Sequence, residues 1–102
     1  SVTRIGRKAI GKIHLLFFNF ENYPQVKNEY GKEKARQVIL GALRVCKNNI
    51  GFGDLAMSGK ENEIIVLAHV TKKDAPKLGT RLKGAVKKTI FEIKKEEVNF
   101  SV

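Results

Sequence analysis

Residues 13–20, IHLLFFNF, are almost continuously apolar, a pattern that predicts a central strand buried on both faces. Pro24 lies just past a turn and opens a short helix, which Tyr30-Gly31 closes with the glycine as a left-handed cap. Ala35, Val38, Ile39, Ala42, Leu43 and Cys46 then recur at intervals of three and four. They predict a longer helix to about Asn48, ended by the run NNIG. Residues 52–58, FGDLAMS, alternate weakly, with Ala56 on one face and Leu55 and Met57 on the other. GKEN reads as a turn, and EIIVLAHV after it as a second buried strand rich in β-branched residues. Thr71 and Asp74 form a T-x-x-D helix-start signal. Leu78, Leu82, Ala85, Val86, Ile90 and Ile93 make one helical stripe, and Val98, Phe100 and Val102 alternate as a final strand.

The expected order is therefore strand, helices, strand, strand, helix, strand. It predicts an α+β ferredoxin-like sandwich over residues 13–102, an antiparallel sheet with helices packed on one face. Residues 1–12 read as a basic arm or as the end of a preceding helix.

Length and composition narrow the class. A chain of 102 residues with 42% hydrophobic residues is one packed domain. No apolar run is long enough to span a bilayer. A lone cysteine, Cys46, cannot form an internal disulfide, so a cytoplasmic setting is expected. The net charge of +10 is unevenly spread. Arg4, Arg7, Lys8 and Lys12 stand without an acid in residues 1–12, and residues 72–95 carry nine basic groups against Asp74 and Glu92. Such segments attract phosphates, acidic proteins or anionic lipid heads, or are simply a solvated helix face.

The strand order and three runs resemble the GGDEF domain of diguanylate cyclases. LLFFNFENYPQVKNEYG resembles the family's first strand and the turn after it. GDLAMSGKENEIIVLAHV resembles its signature hairpin, with Lys60-Glu61-Asn62-Glu63-Ile64 where GGDEF would stand. EEVNFSV resembles the strand after the second long helix. The family's domain continues through a further helix and strand, so the fold implied here is a truncated form.

The resemblance implies two GTP molecules, each with Mg²⁺, condensed across a dimer. It places one metal carboxylate at the end of the first strand and the other in the signature turn. Those positions hold Asn19 and Asn62. An amide oxygen can coordinate Mg²⁺ but carries no charge to hold it against a triphosphate. Glu21, two residues beyond Asn19 on the same strand face, and Glu63 remain as the nearest acids. The signature glycines, which let nucleotide approach the backbone, are Lys60 and Glu61. The guanine-reading amide position is Lys27 and the guanine-reading acid position is Arg36, which presents donors to donors. Of the product-inhibition motif R-x-x-D only Asp54 survives.

Losses in three separate roles imply a degenerate domain that is not an enzyme, has no cofactor and does not bind Mg-GTP. It would act through protein contacts, with itself, with another GGDEF-type domain or with a different regulator. A second reading is a nucleic-acid-binding module using the basic helix 74–95. There Lys77, Arg81 and Lys88 share one face and Lys83, Lys87 and Lys94 a neighbouring one. A third is nucleotide (GTP or ATP) sensing without synthesis, with Lys27, Arg36 and Lys60 gathered near phosphates. His14 and His69, on the two expected central strands, read as structural, and Cys46 as a small core residue. Phe17, Phe18 and Phe20 invite comparison with base-stacking RNA-binding sheets. EIIVLAHV carries no aromatic partner for them, so they too read as core.

Overall fold

The structure is a computed structural model that describes the backbone of residues 4–100 and, in full side-chain detail, residues 11–89. The chain runs β1 (Arg4–Ile10), β2 (Ile13–Asn19), α1 (Tyr23–Tyr30), α2 (Lys32–Asn48), β3 (Leu55–Ser58), β4 (Glu63–Ala68) and α3 (Ala75–Phe100). The four strands form one antiparallel sheet in the order β1-β2-β4-β3. The fold is α+β, as expected. Among the described residues no helix is long and apolar enough to cross a membrane.

The middle of the chain follows its apolar spacing closely. Pro24 sits in the first turn of α1, and Gly31, at φ 91°, separates α1 from α2 in a conformation that side-chain-bearing residues rarely adopt. α2 ends at Asn48, and the Asn49 amide donates back to the Cys46 carbonyl. The Thr71 hydroxyl accepts from the Asp74 amide at 3.1 Å in the turn that leads into α3.

Both ends depart from expectation. Residues 4–10 are neither an arm nor a helix end; they pair with β2 from Arg4↔Asn19 to Ile10↔Ile13. Gly11-Lys12 makes the two-residue hairpin loop, with Gly11 at φ 60° as a II′ turn requires. The sequence conceals this strand because Arg4, Arg7 and Lys8, three of its seven residues, suit a sheet edge and blur the apolar alternation. At the other end, Val98 and Phe100 do not form a strand. α3 runs through to Phe100, and Val102 lies outside the described residues. No Gly or Pro follows Gly84, and once a helix is nucleated each further residue extends it cheaply.

Among the described residues, the helices cover one face of the sheet. His14, Leu16, Phe18 and Phe20 from β2 and its end, with Ile64, Val66 and Ala68 from β4, point into a core closed by α2 and α3. Ala35, Ala42 and Cys46 on α2 are fully buried, and these small side chains let the helix approach the sheet closely. Leu78, Leu82 and Val86 supply the matching stripe of α3; Ala85 is half-buried beside it, and the side chains of Ile90 and Ile93 lie outside the described set. The alternate residues Ile13, Leu15 and Phe17 of β2 and Ile65 and Leu67 of β4 are half-exposed on the opposite face. The strand 13–20 is thus buried on one side, not two, and Phe17 is not part of the core that holds Phe18 and Phe20. β3 is also shorter than residues 52–58: Phe52 stands fully exposed in the preceding loop.

Candidate functional site

The turn between β3 and β4 closes on itself first. The Gly59 amide donates to the Glu63 carbonyl at 2.9 Å, and the Glu63 amide to the Lys60 carbonyl at 3.0 Å. The Glu63 carboxylate folds over Gly59, where an added Cβ would overlap it, and accepts from the Lys60 amide at 3.4 Å. Glu63 is thereby a clasp of the turn.

The turn is then docked onto the end of β2. The Phe20 amide donates to the Asn62 carbonyl at 3.0 Å, continuing the β2–β4 ladder by one step beyond Asn19↔Glu63. This brings the two expected metal positions together. The Asn62 side-chain amide donates to Asn19 Oδ1 at 2.8 Å and lies 3.3 Å from the Phe20 carbonyl, which it also reaches. Two carboxylates at this separation would repel and require a cation between them; two amides satisfy each other. β2 ends at Asn19, and Glu21 lies in the turn that follows rather than on the same strand face.

Lys27 does not join Arg36 and Lys60. Its ammonium pairs with Glu61 Oε1 at 3.3 Å, and the Tyr23 hydroxyl donates to the same oxygen at 2.9 Å. The Tyr23 hydrogen bond, followed by Lys27, holds the Glu61 carboxyl below its ordinary value. Burial first, and the Glu61 carboxylate second, push the Tyr23 phenol up. α1 is in this way tied to the hairpin tip.

Beside this tie lies a pocket of about 300 Å³ between α2 and the turn. Lys32, Arg36 and Lys60 supply its charge, Tyr23, Ile39 and Leu40 its apolar wall, and Ser58-Gly59 part of its rim; Glu61 also lines it. Sequence spacing gives no signal for Lys32, because its place in the first turn of α2 becomes informative only when the hairpin folds over that helix.

Asp54 is fully engaged. Its carboxylate accepts from the His69 amide at 3.0 Å, the His69 Nδ1 at 3.1 Å and the Gly51 amide at 3.1 Å. Burial raises this carboxyl, but the three hydrogen bonds outweigh it and hold the group below its ordinary 3.8. Asp54 therefore fastens the start of β3 to the end of β4. Asp54→Ala is expected to cost about 1–3 kcal/mol of stability at neutral pH, read by denaturant melts. A carboxyl depressed in the folded state stabilises above its unfolded pKa, so the wild-type advantage should shrink as pH falls below about 4.

His14 is buried, and its Nδ1 donates to the Val70 carbonyl at 2.8 Å. His69 lies just past β4 rather than on it. Burial raises the Cys46 thiol to about 11, which leaves it protonated and unreactive. On α3, Arg81 donates to the Asn49 carbonyl at 2.8 Å and so caps the end of α2. Lys77, Lys87 and Lys88 are exposed and Lys83 is half-buried. Compared with known proteins, the chain matches no family model and no curated sequence.

Proposed function

We propose that this chain is a non-catalytic module of GGDEF type that acts by contact with other proteins. The observation that carries the reading is the Asn19–Asn62 pair. The two positions that the resemblance assigns to metal carboxylates do converge, yet both are amides joined at 2.8 Å. Two acids here could share a cation between them, whereas two amides hold each other and bring no charge for one. The order β2-β4-β3 with helices on one face supports the ferredoxin-like assignment. In it, β1 takes the edge beside β2 that would otherwise be open to a final strand.

The open face of the sheet supports the contact role. Ile13, Leu15, Phe17, Ile65 and Leu67 form an apolar surface that continues into Leu55 and Met57, which are 55% and 39% exposed. Contiguous apolar surface of this kind is the usual mark of an interaction site. The nucleic-acid reading has a specific observation in its favour, the exposed Lys77, Lys87 and Lys88. Against it, Phe17 faces away from α3, so stacking and charge are not offered on one surface.

The test is incubation of the purified chain with GTP and Mg²⁺. No cyclic di-GMP is expected, and its formation would overturn the reading. Oligonucleotide binding that weakens steeply with salt would move the assignment to the second reading.

A further inference from the structure

Among the described residues, five large hydrophobic side chains are well exposed, and four of them gather at one edge of the sheet. Leu55 and Met57 stand on β3, the last strand in the order β1-β2-β4-β3. Leu40 of α2 lines the same cavity as Ser58 at the end of that strand. Phe52, three residues before β3, is wholly in water. Its turn is fastened: the Asp54 amide donates to the Gly51 carbonyl at 3.1 Å, and the Gly51 amide to the Asp54 carboxylate at 3.1 Å. The ring is thus presented at a fixed place where the isolated chain gains nothing from it.

The backbone of the same edge is open. The Gly59 amide donates to the Glu63 carbonyl, so by ladder alternation the odd-numbered residues of β3 bond to β4. The amides and carbonyls of Ala56 and Ser58 therefore turn outward, where the sheet has no further strand among the described residues. LAMS also carries no charge and no proline, the usual devices that keep edge strands apart. The other edge, β1, holds Arg4, Arg7 and Lys8. In a chain of net charge +10, β3 is thus the edge at which two copies meet without cations on the paired strands. We propose that the chain pairs with a second copy of itself through β3, antiparallel, about a two-fold axis at Ala56, so that two four-stranded sheets become one. In that register the outward groups meet: Ala56 exchanges both backbone hydrogen bonds with the partner's Ala56, and Leu55 lies beside the partner's Met57 on the open face. A slip of one residue would set Leu55 against the partner's Ala56, which faces the core instead. Leu40 and Phe52 flank the seam and add apolar contact to it. This pairing is one form of the contact role proposed above and rests on it.

The experiment is sedimentation equilibrium of the full chain from micromolar to millimolar concentration, with amide exchange followed on the same samples. A dimer that forms with rising concentration is expected, weak because the paired strand is short. The Ala56 and Ser58 amides should exchange more slowly as it forms, while those of Leu55 and Met57, already bonded to β4, stay unchanged. Met57→Lys should weaken the dimer at least about tenfold, because an unpaired charge is carried into the contact. Ser58→Pro removes an outward donor and no bond to β4, so it should weaken pairing and leave the β3–β4 ladder in place. Should either variant unfold, the exchange pattern of the unmodified chain decides. A chain that stays monomeric throughout overturns the proposal. So does a dimer that survives both β3 substitutions, or one that leaves the Ala56 and Ser58 amides unprotected. A dimer on another surface would sink the β3 pairing and leave the contact role standing, and the cyclase assay reads the non-catalytic role separately.

Discussion

Placing acids at both positions, as Asn19→Asp with Asn62→Asp, is expected to destabilise the fold by about 2–4 kcal/mol at neutral pH in a chelator, because two like charges are forced to one spot. The single changes should be far milder. In Asn19→Asp the new carboxylate would accept a charge-assisted hydrogen bond from the Asn62 amide already aimed at it. In Asn62→Asp the new carboxylate would face the Phe20 carbonyl as acceptor against acceptor, while Asn19 can rotate to donate to it. The double variant should therefore exceed the sum of the singles, a coupling that a double-mutant cycle measures. One carboxyl of the pair is raised by its neighbour, so stability should return as pH falls through that raised value. Mg²⁺ should restore it at neutral pH. An additive double variant indifferent to Mg²⁺ would mean that the two positions do not share a site.

The second large effect separates two adjacent phenylalanines. Phe18 is fully buried beneath the helices, and its truncation to alanine is expected to cost about 3–5 kcal/mol, a large part of a small domain's stability. Phe17, on the opposite face beside Gly6 and Ile65, is only partly buried and should lose clearly less when truncated, about 1–2 kcal/mol. Equal losses at the two positions would mean that the second face of the sheet is covered. Denaturant melts of the two variants decide this.

The pair also shows where the sequence is legible. In α2 the apolar residues fall on one helical stripe with polar residues between them, so periodicity alone gives the helix and its buried face. In β2 the run LLFF hides the alternation, since both faces carry apolar residues and only the tertiary packing of α2 and α3 decides which is inside. β1 is concealed for the opposite reason, its charges masking a strand that the Gly11-Lys12 turn and the neighbouring β2 enforce. At the end of α3, three alternating residues are too short a pattern to outweigh an unbroken helix.

The site is legible in its parts and not in its connections. Asn19 and Asn62 stand out only through the resemblance, and their hydrogen bond depends on the docking of the turn onto β2. Lys27 and Glu61 look independent in sequence but form an ion pair across 34 positions. Asp54 looks like a surviving ligand acid, and its engagement by His69 depends on how β3 and β4 pair. Each of these is a long-range contact, for which local pattern carries no signal.

If Asn19 and Asn62 hold each other and hold no metal, the side-chain amide resonance of Asn62 reports it most directly, followed during a Mg²⁺ titration of the unmodified chain. The resonance is expected to stay in place through millimolar Mg²⁺, with its amide protons protected from exchange by the bond to Asn19. A saturable shift of that resonance would contradict this, because the metal would then have displaced the hydrogen bond.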